Sequence, residues 1–393
     1  MESAKLYQTK NGLMTGEEIA AKDNELKEFY FGSKVKNQVI TENYALYESD
    51  CMYVLPTLPA ESVDLSVYSP PFAGLYNYSS SENDFSNCES REQFLQQYDF
   101  LIAEIARVTK PGCVTAVHVT DIMGADGDLW DFPHEVKKLH QKHGFKHRCT
   151  VTIWKEPLKV RMRTMVKSLM HLMIVEDSTQ AYPAMPDYLL LFEKRGERAV
   201  KVTHEAGLHH YAGEYPLLPH MVKALKGDIP DLLKDGVSMD EIDEQLAVFE
   251  ALKKRYHGFE GDHKKNRLSH NIWRRYASSV WDDIRIDNVL PFQDSRDEDD
   301  ERHVHALQLD VIDRVVELYS NPGEVVLDPF GGVGSSVFSP VSMGRKAIAI
   351  ELKESYFKQM VLNCKEAEKR WQAGREKTLF DDVDEVAEMQ EVD

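Results

Sequence analysis

Long apolar stretches are missing from this sequence. No run of about 18 apolar residues occurs in its 393, so a membrane-spanning helix is not expected. The opening residues, MESAKLYQTKNG, carry no apolar core of a secretory signal, and the expected location is the cytoplasm. Cysteine is sparse: Cys51, Cys88, Cys113, Cys149 and Cys364 are scattered, with no C-x-x-C pair. That spacing argues for reduced thiols and against a disulfide frame or zinc site. Positive charge is in deficit too. The formal net charge of −19 taken alone argues against a polyanionic partner. What remains, 42% hydrophobic and 29% charged, is ordinary for a soluble globular chain. Its length suits one large domain with an elaboration, or two domains.

The charge is unevenly spread. DSRDEDDER (294–302) and the tail FDDVDEVAEMQEVD (380–393) contribute −4 and −7, more than half of the total. Residues 137–167 hold ten Lys or Arg against one acid, Glu156, and residues 253–275 hold eight bases against two acids. Such segregation lets an acidic chain present a basic, nucleic-acid-facing surface.

Alternating strand and helix patterns run through most of the chain. Strands are expected at 63–68, 113–119, 149–154, 187–194, 324–328 and 347–351. Helices are expected at 94–112, stopped by Pro111-Gly112, at 131–145, closed by Gly144, at 305–320, and from the glycine turn to about 344, with a last helix after 351. The alternation implies a mostly parallel sheet covered by helices. Between 196 and 285 the periodic signal fades, apart from a helical pattern at 242–256, and this stretch reads as a separate module.

Two short motifs carry the chemistry. The strand VDLSVY ends abruptly at Ser69-Pro70-Pro71-Phe72, where two prolines forbid helix or central strand and stiffen the chain. The second is Asp328-Pro-Phe-Gly-Gly-Val-Gly334-Ser-Ser, a strand-to-helix turn of small residues that allows close backbone approach to a ligand. Glu351 ends the next strand, where an acid accepts bonds from ribose hydroxyls. The third glycine of a dinucleotide fingerprint is absent, which disfavours an NAD-dependent dehydrogenase. A nucleoside with an amino-acid arm and no pyrophosphate fits better, and S-adenosylmethionine is such a ligand.

Together the two motifs resemble the β class of S-adenosylmethionine-dependent DNA amino-methyltransferases. In that class the S/D/N-P-P-F/Y/W motif precedes the glycine-rich cofactor motif. The resemblance runs from about 44 to 364. SPPFAGLYNYS, WRRYASSVWDDI and DEDDERHVHALQL look closest to solitary phage or mobile-element enzymes. Ala306 after His305, and GGVG in the loop, depart from the commoner forms. The resemblance implies a Rossmann-like α/β methyltransferase fold with a seven-stranded, mostly parallel sheet, helices on both faces, a circularly permuted motif order and a target-recognition insertion. It divides the chain into an N-terminal arm (1–40), a catalytic half (41–195), a target-recognition module (196–285), a cofactor-binding half (286–372) and an acidic tail (373–393). It also implies cofactor contacts from Asp50, Asp328, Phe330, Gly332, Gly334, Ser335 and Glu351.

The proline corner then has a chemical meaning. An exocyclic amine of cytosine or adenine is a poor nucleophile because its lone pair is delocalised into the ring. Acceptors for its N–H bonds, here the Ser69 hydroxyl and the Pro70 carbonyl, favour a pyramidal, reactive nitrogen. Pro71 helps fix them, and Phe72 offers a face for a base taken out of the duplex. Carbon-5 methylation would need a Pro-Cys nucleophile, and none of the cysteines follows a proline. Serine at the first motif position favours N4-cytosine in double-stranded DNA. N6-adenine is the alternative, and an inactive DNA-binding relative is a weaker one.

Arg161, Arg163 and Lys167 are expected to contact phosphates. Lys253, Lys254, Arg255, Lys264, Lys265 and Arg267 are candidates for backbone or base contacts in the recognition module. His140, His143 and His147 sit among Lys137, Lys138, Lys142, Lys146 and Arg148 and read as a basic helix face, since nearby cations oppose a metal ion. His204 and His209 are spaced by five, which does not match a helical zinc motif. No metal is expected. Trp273 and Trp281 are expected to pack the module against the core.

Overall fold

A computed structural model describes residues 6–9, 12–15, 34–71, 85, 88, 90–123, 128–205, 207–208, 210–214, 233, 238–240, 242–243, 267–291 and 306–388. In chain order, the elements that build the main body begin with β1 (Asn37–Ile40), β2 (Tyr44–Glu48), α1 (Cys51–Val54), β3 (Val63–Tyr68), α2 (Arg91–Val108) and β4 (Thr109–Val119). Next come α3 (Phe132–Lys142), β5 (Phe145–Ile153), α4 (Pro157–Thr164), α5 (His171–Glu176) and β6 (Asp187–Lys194). The rest are α6 (Arg267–Tyr276), β7 (Val280–Trp281), α7 (Leu309–Tyr319), β8 (Val325–Asp328), α8 (Ser335–Ser342), β9 (Lys346–Glu351) and α9 (Glu354–Glu388).

Nine strands form one sheet in the order β7-β5-β6-β4-β3-β8-β9-β2-β1. Five neighbouring pairs are parallel, and only those of β6 with β4 and β5 and of β1 with β2 run antiparallel. The expected mostly parallel sheet is therefore present. Its seven central strands are flanked by two short edge strands, β7 and β1.

The central strands feed two cores, because successive side chains point to opposite faces. Leu65 and Val67 of β3 pack with Val311, Ile312, Val315 and Val316 of α7. Tyr68 faces the other way, among Phe94, Tyr98 and Leu101 of α2 and Phe132 and Val136 of α3. A third cluster packs α8 and α9 onto Leu46, Ala347 and Ala349. Helices thus cover both faces, a three-layer α/β arrangement.

Local chemistry sets the boundaries. The Ser90 hydroxyl caps α2 by accepting from the Gln93 N–H at 3.2 Å, and its apolar stripe is fully buried from Phe94 to Val108. The helix stops at Val108, short of the expected Pro111-Gly112. There β4 begins with a bulge: Val63 pairs with Thr109 but Leu65 pairs with Val114. Pro111 and Gly112 fall inside that bulge, where no ladder bond is required of the proline.

Candidate active site

Four strand ends meet at one edge. In β3 and β8, which run parallel, Leu65 lies opposite Val326 and Ser66 opposite Leu327. Asp328 lies opposite Ala349 of β9, and Glu351 lies opposite Glu48 of β2. Ser69 therefore follows β3, Asp328 ends β8, Glu351 ends β9 and Asp50 follows β2, all at the carboxyl edge of adjacent parallel strands. This is the edge where open α/β sheets hold ligands. Pro70 is buried, while Ser69 and Pro71 are half-buried. Phe72 lies outside the described residues.

The glycine turn is held by the two acids beside it. Asp328 Oδ1 accepts from the Phe330 N–H at 2.7 Å, and Asp328 Oδ2 accepts from the Ser336 hydroxyl. Glu351 Oε2 accepts from the Gly332 N–H at 2.7 Å and Oε1 from the Lys353 N–H at 2.8 Å. Gly332 and Gly334 have φ of +53° and +91°, conformations that disfavour any side chain. A Cβ at Gly334 would also lie 2.8 Å from Met360 Cγ. Ser335 opens α8; its hydroxyl is buried and has no hydrogen-bond partner among the described residues.

Burial dominates the electrostatics. It pushes the Asp328 carboxyl up to about 7, against the hydrogen bonds from Ser336 and Phe330. It also raises the Asp50 carboxyl, which caps α1 by accepting from the Met52 N–H at 2.8 Å. Phe330 packs its ring on Tyr68 with centroids 6.0 Å apart, so the turn touches the strand that carries Ser69.

An ionisable trio farther along the same edge has no local sequence signal. Lys155 follows β5 and its Nζ lies 2.5 Å from Asp187 Oδ1, at the start of β6. His118, near the end of β4, places Nε2 3.2 Å from Asp187 Oδ2. Burial would raise the Asp187 carboxyl, but His118 and Lys155 outweigh it and hold it at about 2. Only the antiparallel pairing of β4, β6 and β5 unites these residues.

The basic stretch divides. Lys142 and His143 both pair with Asp99, at 2.5 and 2.8 Å, and Lys146 and Arg148 pair with Glu193. Lys146 and Arg148 lie at the opening end of β5, away from the Ser69 edge. Arg161 and Lys167 lie beyond its carboxyl end, on and just after α4. Arg163 is on α4 and Arg267 opens α6, but their side chains are outside those described. Lys253, Lys254, Arg255, Lys264 and Lys265 also lie outside the described residues.

Two expectations need correcting. His140 is not part of a basic surface. It is fully buried, because Phe132, Val136 and His140 share the inner stripe of α3. Trp281 does pack into the core, but Trp273 is 59% exposed.

Comparison with known proteins gives the family and the fold. The profile of the N6_N4_Mtase family, described as DNA methylase, matches residues 63–362. The chain is 25% identical to type II methyltransferase M.BamHI of Bacillus amyloliquefaciens over 353 residues, covering 89% of this chain and 62% of that protein. It is 30% identical to DNA adenine methyltransferase YhdJ of Escherichia coli K12 over 99 residues, 25% of this chain and 31% of that one. The chain thus spans less than two thirds of the length of either relative. Among solved structures, PvuII DNA methyltransferase (cytosine-N4-specific) superposes with a TM-score of 0.50 at 12% identity, covering 86% of this chain and 95% of that one. That likeness concerns the fold alone. With the profile matched across most of its length, the chain belongs to the N6_N4_Mtase family of DNA methylases.

Proposed function

We propose that the chain transfers a methyl group from S-adenosylmethionine to the exocyclic N4 amine of a cytosine flipped out of double-stranded DNA. One observation carries this reading: the Ser69 corner and the Asp328 turn end neighbouring parallel strands at one edge. The motif order and the Ser-Pro-Pro corner support the β class, and the likeness to solitary phage or mobile-element enzymes belongs to the same proposal. Residues 196–285 are the proposed recognition module.

The residues at the edge fit the cofactor. Three carboxyl groups, Asp50, Asp328 and Glu351, suit a ligand bearing an ammonium and a sulfonium and would repel a pyrophosphate. The buried Ser335 hydroxyl offers a polar partner beside the glycine turn. Asp328 would face the amino-acid arm, Glu351 the ribose and Asp50 the adenine, with Phe330 and Gly332 to Gly334 shaping the wall. When bound, the cofactor supplies an electrophilic methyl carbon.

The protein's part is to orient the other reactant. Ser69 Oγ and the Pro70 carbonyl accept the two amine N–H bonds, and the rigid prolines keep both acceptors in place. The freed lone pair would then face the cofactor's methyl carbon, the new N–C bond replacing the C–S bond as a neutral thioether leaves, and alignment supplies much of the rate. The extra proton leaves the product nitrogen for solvent.

The test is to incubate the protein with labelled S-adenosylmethionine and mixed-sequence DNA, digest to nucleosides and identify the label by mass. Labelled N4-methylcytosine is expected. The match to YhdJ, named as an adenine methyltransferase, favours N6-methyladenine as the second reading, and that product would replace the first. Ser69→Ala should lower turnover about 100-fold while cofactor affinity is retained; turnover at the parent rate would refute the role of the hydroxyl.

A further inference from the structure

Beneath the Ser69 corner runs a buried chain of hydrogen bonds that the reaction above leaves unused. Tyr68, the last residue of β3, is fully buried. Its hydroxyl lies 3.2 Å from the Tyr98 hydroxyl of α2 and 3.4 Å from Nε2 of His140 on α3. The His140 ring is stacked on Phe192 of β6, with centroids 3.9 Å apart and planes 6° from parallel. Its Nδ1 lies 2.8 Å from the Val136 carbonyl.

The direction of every bond follows. A carbonyl only accepts, so in the neutral ring Nδ1 carries the proton and Nε2 is an acceptor. The Tyr68 hydroxyl therefore donates to His140, and the Tyr98 hydroxyl donates to Tyr68. The chain crosses a cluster made almost wholly of Phe, Leu, Ile and Val side chains. Polar atoms buried there are costly unless all are paired, so the arrangement has one low-energy geometry. Packing alone does not require the hydroxyl, since phenylalanine at 68 would fill nearly the same volume.

We infer that Tyr68 is a positioning residue: the Tyr98–Tyr68–His140 chain fixes the end of β3, and with it the direction in which Ser69 Oγ and the Pro70 carbonyl face. Helices α2 and α3 converge on one side chain, and a single peptide links that residue to Ser69. The same ring meets Phe330 of the cofactor turn, and Phe330 also packs edge-on against Phe85 at 5.7 Å. Tyr68 thus sets the corner and the turn relative to one another. This inference rests on the reading of Ser69 and Pro70 as the amine's acceptors.

The test compares steady-state methyl transfer and melting temperature in the full chain. Tyr68→Phe is expected to lower kcat about tenfold or more, because small misplacements of reacting groups carry large rate penalties. KM for cofactor and for DNA should stay within about twofold, as uniform binding is untouched. A second variant, Tyr68→Phe with Tyr98→Phe and His140→Phe, removes every unpaired polar atom. It should recover the melting temperature while kcat stays low. If kcat returns together with the melting temperature, or Tyr68→Phe turns over at the parent rate, the chain is merely structural and the inference is overturned. A parent protein that transfers no methyl group to DNA overturns the function reading and this inference with it. An active parent with an unaffected Tyr68→Phe overturns this inference alone.

Discussion

Asp328 brings burial and charge together at a single carboxyl group. Burial raises it to about 7, so the group is largely neutral below that pH and ionised above it. A cationic ligand favours the ionised form, so cofactor affinity is expected to rise with pH through about 7 and to level off above it. Calorimetric titrations in buffers of different ionisation enthalpy should show proton release near neutrality, and Asp328→Asn should flatten the profile. The effect on folding runs the other way. A carboxyl raised in the folded state contributes stability that is fully present below its unfolded value and is lost as pH rises through the folded one. Glu317, also raised to about 7 by burial, adds to this trend, so thermal stability without cofactor should fall between about pH 4 and 7.

At the scale of elements, α7 is tied to the segments around it by Arg314. The guanidinium is fully buried, with Nη2 2.7 Å from Asp283 Oδ2, and Nε donates to the Ala212 carbonyl at 2.7 Å. The rings of Tyr276 and Trp281 lie 4.8 Å from its charge. Arg314→Ala leaves Asp283 buried with the Tyr211 hydroxyl and one half-exposed charged partner, Arg275, and should cost about 3–5 kcal/mol, measured by urea unfolding. None of this was legible in the sequence, because Arg314 is one polar residue in an ordinary amphipathic helix. The proline corner and the glycine turn were legible because each is a local conformational device. His140 was misread because its sequence neighbours are cationic, although its spacing from Phe132 and Val136 marks the inner face. The end of α2 was placed late because the proline and glycine that look like a stop belong to a strand bulge. Strand β2 was not expected as a strand at all; its alternation is short, and pairing with the distant β9 defines it.

Across the whole molecule, net charge and local charge point in opposite directions. The chain carries −19 overall, yet much of the basic density at 137–148 is neutralised within the fold by Asp99 and Glu193. Free phosphate contacts are expected instead from residues beyond β5. Neutralising Arg161 or Lys167 should weaken DNA binding for all sequences alike. Each change should also lower the slope of log affinity against log salt by about 1, measured by fluorescence anisotropy over a salt series.

The strand order has a consequence for how the protein is made. The Val325 N–H donates to the Asp64 carboxylate across 261 residues of chain, and β2 waits for β9 to complete its parallel ladder. A ribosome adding about 5–20 residues per second exposes Ser69 tens of seconds before β8 emerges. A prematurely terminated product therefore holds the corner without the turn and is inert. Under the proposed function, catalytic competence arrives only once β8 and β9 have both emerged.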